Sequence, residues 1–181
     1  GLIPAGPGKS HQSLRDISLF AALPNCTTLQ PCNADETRMV VEYAVDEAQE
    51  NVALRFIIGP SPRKIQLPRE YKLTFGKGVP LTDGKDAILF AYGPVMLHEA
   101  LLASELLAER GVGLKVVNMP WLNHMDPKWL EEIIQPYELV FVLEDHHPSG
   151  ALHDHMLEIL AGSRSNPLAK RRMFRFAVEG W

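Results

Sequence analysis

Ala87-Ile88-Leu89-Phe90-Ala91-Tyr92, closed by Gly93-Pro94, is an apolar run without alternation, the pattern of a strand buried on both faces. The segment from about Val95 to Arg110 then sets Leu97, Ala100, Leu101, Ser104, Leu107 and Ala108 at helical spacing, with Gly111 as its stop. Leu114-Lys115-Val116-Val117-Asn118-Met119 is the next apolar strand. Asp126-Pro127 opens a helix with a capping Asp and a first-turn Pro, and Trp129, Leu130, Ile133 and Ile134 form its apolar face. Leu139-Val140-Phe141-Val142-Leu143 is a third strand, followed by Glu144-Asp145-His146-His147. A helix over Gly150 to Gly162 and a strand over Met173 to Val178 complete the series. Apolar strands alternating with amphipathic helices predict an α/β fold with a mainly parallel sheet and right-handed crossovers. In such sheets ligand groups gather beyond the C-terminal strand ends.

Toward the N-terminus the texture differs. A Gly/Pro-rich opening leads to a short helical stripe (Leu14, Ile17, Leu19, Phe20 and Leu23) that ends at Pro24-Asn25. Thr27-Thr28-Leu29-Gln30 is a brief strand. Asn33 or Asp35 can cap a helix carrying Met39, Val40, Tyr43, Ala44 and Val45. Val52-Ala53-Leu54-Arg55-Phe56-Ile57-Ile58 reads as an apolar strand with one charge in its middle. From Gly59 to Gly84 prolines and glycines recur without a period, which places a domain boundary there. The expected division is residues 1–66, a linker over 67–84, and a second domain over 85–181.

The 181 residues are 46% hydrophobic and 22% charged, ample apolar surface for ordered domains. A net charge of −4 gives no broad footprint for nucleic acid or an anionic membrane. Lys170-Arg171-Arg172 reads as solvated surface. Cys26 and Cys32 match no metal or disulfide pattern and read as small buried thiols. No apolar run approaches a membrane span, and the N-terminus is not a signal peptide, so a cytoplasmic protein is expected. The chain starts at Gly1 rather than at a Met, which suggests a beginning partway through something longer.

Several residues could carry chemistry. His11 follows Gly6-Pro7-Gly8-Lys9-Ser10 just before a helix, where glycines allow close backbone approach to an anion. Lys9 and Ser10 would extend that anion loop, and His11 could move a proton. The alternative is a surface loop capped by Ser10 or Ser13. Arg55, an isolated charge in an apolar strand, must be paired. Either it grips a ligand carboxylate or phosphate, or it pairs internally with a carboxylate such as Glu42 or Asp46. Glu144 to His147, with His153 and His155, lack metal-ligand spacing and read as a polar strand-end rim; no metal site is expected from this chain. Trp121 and Trp129 read as packing anchors.

The order Gly8-Lys9-Ser10-His11-Gln12-Ser13, Leu23-Pro24-Asn25 and Pro31-Cys32-Asn33-Ala34-Asp35-Glu36 resembles the second half of the pyrimidine-binding domain of transketolases and 1-deoxyxylulose-5-phosphate synthases. Val52-Ala53-Leu54-Arg55 is similar to the strand that follows there, and residues 86–181 resemble the C-terminal transketolase domain, including the Leu143-Glu144-Asp145 strand end. The resemblance implies a partial pyrimidine-binding α/β domain followed by a mainly parallel C-terminal domain. It further implies a thiamine diphosphate enzyme with Mg2+ that moves a two-carbon ketol unit between sugar phosphates, or makes 1-deoxyxylulose 5-phosphate. His11 then matches the substrate-side histidine near the cofactor's reactive carbon, and Arg55 an arginine that grips the substrate phosphate.

Two departures stand out. Pro7 replaces the family's Asp four residues before the histidine, and Ser10 replaces a Thr. The cofactor's diphosphate domain and the first half of the pyrimidine domain, with the activating glutamate, have no counterpart in these residues. The expected partner is therefore an N-terminal half, on the same polypeptide or a separate chain, within a homodimer. A non-catalytic regulatory or assembly subunit, or a free-standing anion-binding domain, are the alternatives.

Overall fold

The structure, a computed structural model, describes residues 1–2, 8 and 11–179. Pro7, Lys9 and Ser10, and with the last two the expected anion loop, lie outside the described residues. The first part of the chain builds α1 (Asp16–Ala21), β1 (Cys26–Leu29), α2 (Ala34–Glu42) running into a π turn (Tyr43–Glu47), and β2 (Asn51–Leu54). Asn33 caps α2, its Oδ1 accepting from Glu36 N at 2.8 Å. β1 and β2 pair in parallel, Cys26 opposite Asn51 through Leu29 opposite Leu54. The backbone beside Trp121 pairs with the other edge of β1: Gln30 N donates to Pro120 O and Leu122 N to Thr28 O, each at 2.9 Å. The outer edge of β2 has no ladder partner among the described residues.

The apolar run over 52–58 is a strand only as far as Leu54. The partner β1 is four residues long, so the ladder ends there, after Arg55 N donates to Leu29 O at 2.8 Å. Arg55 therefore stands just beyond the strand rather than in its middle, and Phe56 and Ile58 are exposed.

The second part contributes β3 (Val79–Pro80), β4 (Ala87–Ala91), α3 (Gly93–Ala108), β5 (Leu114–Asn118), α4 (Pro127–Ile134), β6 (Leu139–Leu143), α5 (Leu152–Gly162) and β7 (Arg172–Phe176). Its sheet runs β3-β5-β4-β6-β7, parallel except for β3, as the strand–helix alternation predicts. β3 lies inside the expected linker: two residues paired antiparallel to β5 leave no period to read. Asp126 caps α4, accepting from Trp129 N at 3.0 Å.

Strand alternation divides the core between two faces. Ile88, Phe90 and Tyr92 pack with Leu130 and Ile134 of α4 and Leu152, Met156 and Leu160 of α5. Ala87, Leu89 and Ala91 pack under Leu97 and Ala100 of α3. Ile17, Leu29 and Val40 of the first part join the first of these clusters, so the two parts share a core. Trp121 anchors that junction, with the rings of Tyr43 and Phe75 each 4.9 Å from its own. Cys26 and Cys32 are buried free thiols. Among the described residues no helix is long and apolar enough to cross a membrane.

Candidate functional site

After β4 the chain crosses one way to β5, and β6 then lies on the other side of β4. This makes the carboxyl ends of β4 and β6 the topological switch point, where open α/β sheets form their ligand crevice. Here the crevice is filled by the first part of the chain. Arg55 Nη1 donates to Asp145 Oδ1 at 2.8 Å and also to Gln30 Oε1. Arg55 Nε donates to Asp16 Oδ2 at 2.7 Å. The guanidinium is buried over the ring of Tyr92, 5.8 Å from the centroid. Gly93, at φ +67°, sits so close to the Gln30 side chain that a Cβ would lie 2.3 Å from its amide nitrogen.

Arg55 is thus internally paired, with Asp16 and Asp145 rather than Glu42 or Asp46. Burial alone would favour loss of its proton, but the charges of Asp145, Tyr92 and Asp16 shift its affinity upward. Burial likewise works against ionisation of Asp16, and the adjoining Arg55 charge and hydrogen bond outweigh it, holding that carboxyl below the usual range. Nη2 is the guanidinium nitrogen with no partner among the described residues.

The expected polar rim is in fact interior: Glu144, Asp145 and His146 are all buried. Burial pushes the Glu144 carboxyl up to about 8, and it also lowers the affinity of His146 for its proton. A strand end in a single sheet would be wet. Here the first domain docks on Asp145 and His146, while Glu144 is enclosed by its own domain beside Leu152, Asp154 and Arg175.

His11 lies on an exposed turn closed by His11 N donating to Gly8 O at 3.0 Å. It and Arg55 come from different elements, linked through Asp16, which lies a short way past His11 and is bonded to Arg55. Among the described residues no group of three or more His, Cys, Asp or Glu side chains stands together as cation ligands. What the sequence reading missed is the set Asp16, Gln30 and Asp145 around Arg55. A charge in an apolar run signalled that partners exist, but nothing local names them.

A second buried carboxyl joins the same two parts. Glu36, at the start of α2, accepts from Cys32 N, from Tyr71 Oη of the connecting segment and from Asn118 Nδ2 of β5, each at 2.8 Å. Burial pushes its carboxyl up, and these hydrogen bonds hold part of the shift back.

Comparison with known proteins agrees with this architecture. The family model described as the transketolase C-terminal domain matches residues 76–177, and that of the transketolase pyrimidine binding domain matches residues 2–57. An uncharacterised transketolase family protein of Sinorhizobium fredii is 31% identical over 94% of this chain and 49% of its own length. A protein described as a transketolase C-terminal section in Methanocaldococcus jannaschii is 32% identical over 92% of this chain and 51% of its own. A 1-deoxy-D-xylulose-5-phosphate synthase of Clostridium botulinum is 29% identical over 84% of this chain and 24% of its own. Among solved structures, a split-gene transketolase in an inactive β4 tetramer superimposes with a TM-score of 0.82 at 27% identity, over 94% of this chain and 54% of that one. The chain spans about half the length, or less, of the curated relatives it matches. With both family models placed in order along a fold that carries their two domains, the chain belongs to the transketolase family.

Proposed function

We propose that this chain is the C-terminal section of a transketolase-type transferase. Together with an N-terminal half, it would move a two-carbon ketol unit between sugar phosphates. The observation that carries this is the unfinished side of the first domain. β2 is an apolar strand with an open outer edge, and a cavity of about 480 Å³ lies beside it, lined by Ile17, Phe20, Leu23, Val52 and Leu54 together with Asp16 and Arg55. Leu23 is 53% exposed and Ile58 69%. A parallel pair of strands with bare apolar surface requires more strands and a covering layer. The first half of a pyrimidine-binding domain would supply them. The relatives of about twice this length, one of them described as a C-terminal section, have room for that first half within the same section. They favour a transketolase-type arrangement over 1-deoxyxylulose-5-phosphate synthesis.

In this reading most of the residues that hold thiamine diphosphate and Mg2+ belong to the N-terminal half. His11 is the imidazole this chain presents toward the substrate, where an exposed side chain on a turn can take up or return a proton. Arg55 serves first as the ion-pair partner of Asp16 and Asp145; a role in holding substrate phosphate would rest on Nη2 alone. The site would assemble within a homodimer of complete units.

The test is to combine the chain with its N-terminal half and assay transfer from xylulose 5-phosphate to ribose 5-phosphate with and without thiamine diphosphate. Cofactor-dependent turnover that falls in His11→Ala, with cofactor affinity kept, supports the reading. A stable complex with no turnover under any condition would mark a regulatory or assembly subunit instead.

A further inference from the structure

Five contacts from one loop of the second domain converge on the segment that carries His11. His147 N donates to Leu14 O at 2.8 Å. Ser18 N donates to His146 Nε2, and Leu2 N to Asp145 Oδ2, each at 3.4 Å. Asp145 Oδ1 holds Arg55, which in turn holds Asp16. Gly150, at φ +76°, lies so close to α1 that a Cβ there would stand 2.8 Å from Ser18 Cβ. Apart from the loop, the segment is held by Ile17 and Leu14 and by the Gly1 ammonium, which donates to Ser13 O at 2.6 Å and to Asp16 Oδ2 at 3.4 Å. α1 is six residues long and no side chain caps its start, far short of the length at which a helix is stable alone. Ile17 and Leu14 are buried in the junction, while His11, a few residues earlier, is exposed.

We propose that the β6–α5 loop, residues 144–150, is the positioning element for His11, with Asp145 as its principal positioning residue. This deepens the reading above and rests on it. The crevice at the switch point takes a piece of the protein in place of a ligand, so the second domain sets where the first domain's imidazole stands. Asp145 acts through Arg55 and Asp16 and touches no substrate.

The charge arrangement makes the device specific. One guanidinium faces two carboxylates, and the groups around them are Gln30 from the end of β1, Tyr92 from the end of β4, His146 from the loop itself and the Gly1 ammonium, 3.4 Å from Asp16 Oδ2. Asp145→Asn keeps the shape and removes one charge, which weakens a charge-assisted bond without opening a hole. Gly150→Ala leaves every charge in place and instead pushes α1 away. The two variants reach the same segment by independent routes.

Amide exchange on the full chain, read by mass spectrometry, is the first measurement. In both variants exchange over residues 11–21 should accelerate by about tenfold or more, while β4 and β5 keep the parent rate. In the enzyme assembled with its N-terminal half, kcat should fall by about fivefold or more, with the donor KM within about twofold. Unchanged exchange over 11–21 in both variants would overturn the proposal. Faster exchange spread evenly across the second domain would also overturn it, since the loop would then be ordinary structure. Should the segment loosen as expected while His11→Ala leaves turnover intact, the clamp stands and the catalytic role of His11 falls.

Discussion

Replacing Glu36 by Gln tests whether the two domains are bolted together by a buried carboxyl. Three donors converge on it: Cys32 N on Oε2, and Tyr71 Oη and Asn118 Nδ2 on Oε1. A carboxamide of nearly equal size cannot serve all three. With its oxygen toward Tyr71 and Asn118, its NH2 faces the Cys32 N–H; turned over, it faces the NH2 of Asn118. One buried donor is left opposite another donor in either orientation, which costs about 1–3 kcal/mol. Glu36→Ala strands all three donors and adds a cavity, so a loss of about 3 kcal/mol or more is expected.

Urea unfolding of the full chain measures this. With a slope near 2 kcal/mol per molar, the Gln variant should lower the midpoint by about 0.5–1.5 M at an unchanged slope. Since the partners lie on α2, on the connecting segment and on β5, cleavage of the connecting segment by a protease should become faster in step. If both variants unfold within about 0.5 kcal/mol of the parent, the carboxyl is not holding these elements and the argument from its donors is wrong.

Arg55→Ala leaves Asp145 buried without its ion-pair partner and Asp16 with only the Gly1 ammonium at 3.4 Å, and stability should fall by about 3 kcal/mol in denaturant unfolding. KM for phosphorylated and non-phosphorylated donors should then change together; a selective rise for the phosphorylated one would assign the guanidinium to the substrate. Glu144, pushed up to about 8 from 4.5, binds a proton more tightly folded than unfolded. Its contribution to stability is therefore complete below pH 4.5, declines by at most about 1.4 kcal/mol per pH unit up to 8, and is flat above that. Glu144→Gln should flatten that decline in thermal unfolding measured across the range, and an unchanged slope would show that the carboxyl is already ionised. Asp126→Ala should cost about 1 kcal/mol through loss of the α4 cap, seen as a lowered Tm, with turnover unaffected.

Much of the second domain was legible because its signals are local. The apolar runs of β4, β5 and β6 and the Asp126-Pro127 start of α4 are written in neighbouring residues. β3 was hidden because a two-residue strand has no period, and β2 ended early because its length is set by β1 rather than by its own apolar run. The strand end at Glu144 to His146 looked like a wet rim because nothing near it in sequence announces what covers it.

The sequence by itself determined the alternating strands and helices of the second domain other than β3, that Arg55 must find an anion, and the family the chain belongs to. Only the tertiary structure decided that the anions are Asp16 and Asp145, which lie 39 and 90 residues away along the chain, and that the switch-point crevice is closed by the molecule's own first domain. Hydrophobic period and capping act over a few residues and leave a readable trace. A charge pair between distant segments leaves none, because many carboxylates satisfy its chemistry and only the packing of both domains brings one of them within 3 Å.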